Sequence, residues 1–162
     1  MFPSDEDEVR ASLALRQAAL VNALISGGEP PPGFDSQRVL AAAESLARKR
    51  ARSAARAWPG LAHALGQKFD EHFAAYAAAS PLPGNGGPLA DGHGFARWLS
   101  GCGWLPEAGR REAMAVDLRY RRIPSGLMRR RWPTLRVGWS RQSRRVTVAI
   151  RFPGVGERWF SI

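Results

Sequence analysis

The hydrophobic period of this chain changes once, at Ile123-Pro124, and that change limits the fold more than any other feature. Before it, apolar residues recur at helical spacing; after it, they alternate. Leu135, Val137 and Trp139 alternate with Arg136 and Gly138, and Val146, Val148, Ile150 and Phe152 alternate with Arg145, Thr147, Ala149 and Arg151. Pro153-Gly154-Val155-Gly156 is a turn into a third candidate strand, Arg158 to Ile162. Short links favour an antiparallel meander. The expected fold class is α+β: an N-terminal helical bundle lobe over 1–122, then a small basic antiparallel three-stranded sheet over 123–162. One apolar sheet face is expected under helices or a partner, with arginines on the other.

In the helical part, Ser4 and the acidic run Asp5 to Glu8 start a helix that ends at Gly27-Gly28, with Val9, Leu13, Leu20 and Leu24 in one stripe. After the stiff turn Glu29 to Gly33, Asp35 or Ser36 caps a second helix with an Ala-rich face, toward which Arg50 points and must snorkel or pair. Trp58-Pro59 breaks it, Leu61 to Leu65 form a short turn, and a helix with Phe69, Phe73 and Tyr76 in the core follows Gly66. Ser80 to Gly94 reads as a surface loop and 106–122 as the last helix.

Charge is divided as sharply as period. Residues 1–118 carry 12 basic and 13 acidic side chains, whereas residues 119–162 carry 12 basic and one acidic. An anionic partner for the C-terminal part is implied: nucleic acid, an acidic peptide or an acidic protein face. The single cysteine, Cys102, forms no internal disulfide, no apolar run approaches the ~20 residues of a spanning helix, and no targeting segment opens the chain, so a cytoplasmic protein away from membranes is expected.

Catalytic signatures are absent from the pattern. His63, His72 and His93 stand apart without metal spacing, and His63 and His93 read as surface or capping groups. Cys102, between glycines, reads as a small packed residue. Gly84-Asn85-Gly86-Gly87 lacks the Lys-Ser/Thr of a phosphate loop. No catalytic residue, metal site or cofactor is assigned to this chain.

A three-stranded meander has two edges whose N–H and C=O groups need water, cover or a guest. A guest strand along 134–139 or 158–162 would gain affinity from backbone pairing, and arginines would favour acidic side chains on it. The candidate peptide-binding residues are Trp132, Leu135, Arg136, Val137, Trp139, Arg145, Arg151, Arg158, Trp159 and Phe160; the candidate docking residues are Arg129, Arg130 and Arg131. A sheet that merely packs on its own helices satisfies the pattern equally well.

Ala23-Leu24, Pro31-Pro32-Gly33-Phe34-Asp35, Arg38, Arg48-Lys49-Arg50, Trp58-Pro59, Leu65-Gly66, Phe69, Phe73, Tyr76, Pro81 and Phe95-Ala96-Arg97-Trp98-Leu99 together resemble the partner proteins of the HvfC/BufC type and their actinobacterial branch, over about residues 10–100. That resemblance implies a non-catalytic subunit paired with a multinuclear non-haem iron-dependent oxidase of the TIM-barrel type, which modifies a ribosomally made precursor peptide. It further implies that the C-terminal β region holds the peptide's leader by strand addition, with iron in the partner enzyme. The tyrosine-arginine-asparagine run common in the family's second helix is replaced here by Ala42 to Ser45. A sequence-tolerant nucleic-acid binder is the second reading.

Overall fold

A computed structural model describes residues 5–26, 29–140, 145–152 and 154–161. Ser4, Gly27, Gly28, Pro153 and Ile162 and the side chain of Arg145, all used in the sequence reading, lie outside the described residues. Six helices, α1 (Asp5–Ser26), α2 (Ser36–Ala57), α3 (Pro59–Leu65), α4 (Lys68–Ala79), α5 (Gly87–Gly101) and α6 (Glu107–Arg119), precede five strands. The strands are β1 (Tyr120–Ile123), β2 (Gly126–Arg129), β3 (Thr134–Ser140), β4 (Arg145–Phe152) and β5 (Gly156–Ser161). This is the expected α+β fold with its C-terminal antiparallel sheet in the order β3-β4-β5.

The chain groups into two compact units, Met1–Ala51 with Asp70–Leu82, and Arg52–Phe69 with Pro83–Ile162. In the first, Asp35 caps α2, its Oδ1 accepting from the backbone N–H of Gln37 (2.9 Å) and Arg38 (3.2 Å). Arg50 is buried and paired as its position required: its Nη2 donates to the Ser80 carbonyl at 3.1 Å, and its guanidinium lies 5.9 and 6.0 Å from the ring centres of Phe73 and Tyr76. The stripe on α1 is covered only toward its C-terminal end: Val9 and Leu13 are exposed, whereas Leu20 and Leu24 are half-buried.

In the second unit the expected short turn at 61–65 is the helix α3. Its first amides, Gly60 and Leu61, donate to the two carboxylate oxygens of Glu112 on α6, both at 2.8 Å. A residue 52 positions away thus caps a helix whose own N-cap, Trp58, makes no side-chain cap. The expected loop 80–94 is also shorter than read, because α5 begins at Gly87. Gly92 in α5 is a packing residue: it lies against the Trp58 indole, where a Cβ would overlap the ring, and Trp58 Nε1 donates to the Leu89 carbonyl at 3.1 Å. His93, read as a surface or capping group, is buried, with Nε2 3.0 Å from Asp117 Oδ1.

Helix α6 ends at Arg119 rather than near 122, and the chain turns directly into the hairpin β1–β2, which the period had not revealed. Arg130 secures this junction. Its Nε donates to the carbonyls of Asp117 (3.1 Å) and Tyr120 (2.9 Å), placing a cation at the helix C-terminus.

Candidate functional site

The register of the sheet assigns every side chain to a face. Leu135 stands opposite Ile150, Val137 opposite Val148 and Trp139 opposite Val146, while Val148 and Ile150 meet Phe160 and Arg158 on β5. These residues share one face. Arg136, Gly138, Ala149, Arg151, Glu157 and Trp159 occupy the other.

Helix α6 covers the second face, not the apolar one. Ala149 is fully buried, Arg151 is buried, and the Cα of Gly138 comes so close to α6 that a Cβ would lie 3.1 Å from Met114 Sδ. Leu135, Val137 and Trp139 are 57%, 64% and 60% exposed, and Phe152 and Phe160 are also exposed. Only small side chains at the centre of β3 and β4 let a helix approach, and Gly138 and Ala149 supply them on the arginine-bearing side. Of the two covers expected for the apolar face, helices or a partner, the helix takes the opposite face instead. Within this unit the apolar face is left as an open platform of a kind that marks interaction surfaces.

Ion pairing fixes the covered face. Arg119 on α6 makes a two-point pair with Glu157 on β5, through Nε and through Nη2 at 3.1 Å, and the hydrogen bond to Glu157 holds the guanidinium pKa above its usual value. Burial pushes the Asp117 carboxyl up, but the His93 hydrogen bond and the charges of His93, Arg136 and Arg130 outweigh it and hold the pKa below 3.8. An ionised Asp117 only accepts, so His93 Nε2 carries the proton of their bond. Among the described residues, Arg136 Nε is buried without a hydrogen-bond partner.

The candidate residues therefore divide. Leu135, Val137, Trp139, Arg158 and Phe160 lie together on the open face; Arg136, Arg151 and Trp159 lie on the α6 side. Arg151 Nη1 donates to the Arg130 carbonyl at 3.4 Å. Trp132 is exposed just ahead of β3. Arg129 and Arg131 are exposed, whereas Arg130 is tied to the end of α6. Val146, Val148, Ile150 and Phe152 complete the open face. Their alternation predicts a strand with one apolar face but does not say what covers it.

Strands β3 and β5 are the edges of the sheet, and among the described residues no backbone hydrogen bond reaches either from outside it. Beside the start of β3, an open cleft of about 1070 Å³ is lined by Arg121, Met128, Arg129, Arg130, Arg131, Trp132, Pro133, Thr134, Arg151 and Gly154. Among the described residues no helix is long and apolar enough to cross a membrane.

Comparison with known proteins adds a relative from Streptomyces avermitilis, described as a UPF0276 protein, which is 40% identical over 93 residues. That region is 57% of this chain but only 19% of the relative, so the chain spans about a fifth of the protein it matches. No solved structure matches. Residues 14–101, more than half of the chain, match the SCO6045-like, C-terminal domain family, and the chain belongs to it.

Proposed function

We propose that this chain is a non-catalytic recognition subunit that captures a ribosomally made precursor peptide by strand addition and docks it onto a multinuclear non-haem iron-dependent oxidase. The observation that carries this reading is the C-terminal sheet, with two edge strands and an uncovered apolar face. Backbone groups along β3 or β5 would pair with the guest, and Leu135, Val137, Trp139 and Phe160 would receive alternate guest side chains. Iron would belong to the partner enzyme, and this chain would supply position. Tethering the peptide raises the local concentration of its reactive part, to millimolar levels for a short flexible link.

The Streptomyces avermitilis relative supports a module working beside a larger body, because there the matched region is joined to a much longer polypeptide. The test is turnover of a full precursor and of its leaderless form by the purified oxidase, with and without this chain. Stimulation confined to the full precursor is expected; equal turnover with and without the chain contradicts the reading. The arginine-lined cleft favours nucleic acid as the rival. It requires tight duplex binding that falls steeply with salt, without affinity for peptide.

A further inference from the structure

The two edges of the sheet are not equivalent at the arginine-lined cleft: β3 enters it with three consecutive wall residues, whereas the approach to β5 contributes Gly154 and no residue of the strand itself. Trp132, Pro133 and Thr134, the residues leading into and opening β3, form part of the cleft wall. Arg151, which pairs in register with Thr134, lines it as well. We propose that the guest strand adds antiparallel to β3 and that a cluster of acidic residues immediately C-terminal to its strand segment seats in this cleft.

The direction follows from geometry. Strand β3 runs away from the cleft, so a guest antiparallel to it runs toward the cleft and delivers its C-terminal side there. The seven residues of β3 set the spacing. A fully paired guest spans roughly 24 Å before its acidic cluster begins.

The electrostatics select the cluster's sign. Five arginines line the cleft, and among the described residues no acidic side chain does. Arg130 and Arg151 are oriented by donating to carbonyls, which fix a guanidinium without neutralising it. Of the cleft arginines, Arg130 alone interacts with the nearby Asp117 carboxylate, which offsets part of its charge. Arg121 Nη2 faces Met128 Sδ at 3.2 Å, a weak acceptor that also leaves the cation available. Arg129 and Arg131 are exposed, and the guanidinium fork matches carboxylate geometry.

This inference rests on the strand-addition reading, and one titration separates the two. Four synthetic peptides share one seven-residue Thr/Val-rich strand segment: one followed by Asp-Glu-Asp-Glu, one preceded by it, one followed by Asn-Gln-Asn-Gln, and the first again with alternate backbone amides methylated. Binding to the full chain is followed by tryptophan fluorescence, and repeated with Arg129→Glu/Arg131→Glu, exposed positions whose exchange leaves the fold intact, as circular dichroism checks. The C-terminal acidic peptide should bind about tenfold tighter than the neutral or N-terminal version. The double variant should erase that difference while retaining weak binding of the neutral peptide. Equal affinity of all three unmethylated peptides, or a preference for the N-terminal cluster, overturns the cleft assignment and leaves strand addition standing. Undiminished binding of the methylated peptide, or no binding by any peptide, overturns both.

Discussion

One glycine and one side-chain pair in the second unit show how single positions set its structure. Gly126 has φ of +139°, and a Cβ there would overlap the Asn85 carbonyl, whose oxygen accepts the Leu127 N–H at 3.3 Å. Gly126→Ala should therefore cost about 2–4 kcal/mol in urea denaturation; a loss under about 0.5 kcal/mol would show that the hairpin is not held there. The His93–Asp117 pair governs acid sensitivity. With the folded pKa of Asp117 below its ordinary 3.8, ionisation stabilises the fold above about pH 4, and that contribution is lost as pH falls through the folded value. Asp117→Asn should lower the urea midpoint at pH 7, and its deficit should shrink below pH 4; a deficit unchanged at pH 3 contradicts the assignment. Neither role was legible in the sequence. His93 sits in a stretch rich in glycine and proline, which reads as loop until Gly92 is seen against Trp58, and nothing local announces a partner 24 residues away.

At the scale of elements, period revealed the long helices and the three-stranded sheet, but not the short elements or what caps or covers them. The break at Trp58-Pro59 was plain, yet α3 exists because Glu112 reaches its first two amides from another helix. Glu112→Ala should cost about 1–3 kcal/mol, with Glu112→Gln costing less because one carbonyl acceptor survives; thermal melts of both variants check this. Equal melting of all three proteins would remove Glu112 from the account. The hairpin β1–β2 escaped notice because each strand has only four residues and β1 continues an arginine-rich helix without punctuation. Helix α1 is the converse case: its stripe predicts the helix, and the structure leaves the first half of that stripe exposed.

For the whole molecule, the alternation in 134–152 located the strands, but it could not say which face a helix would take. Large apolar side chains are usually the buried ones, and here Gly138 and Ala149 reverse that rule by admitting α6 to the opposite side. Val137→Lys should accordingly change stability by no more than about 0.5 kcal/mol while weakening peptide capture. Ala149→Lys, at a fully buried site, should unfold the sheet or cost over about 3 kcal/mol by chemical denaturation. The opposite ranking would mean that the apolar face is the covered one. The concentration of positive charge beyond residue 118 was legible at once and matches the cleft beside β3. Amide hydrogen exchange of the full chain, with and without the strand peptide that ends in an acidic cluster, tests the capture platform most directly. Slowed exchange in 134–140, with α1 unchanged, is the predicted result; unchanged exchange throughout β3 and β5 under saturating peptide would contradict the account.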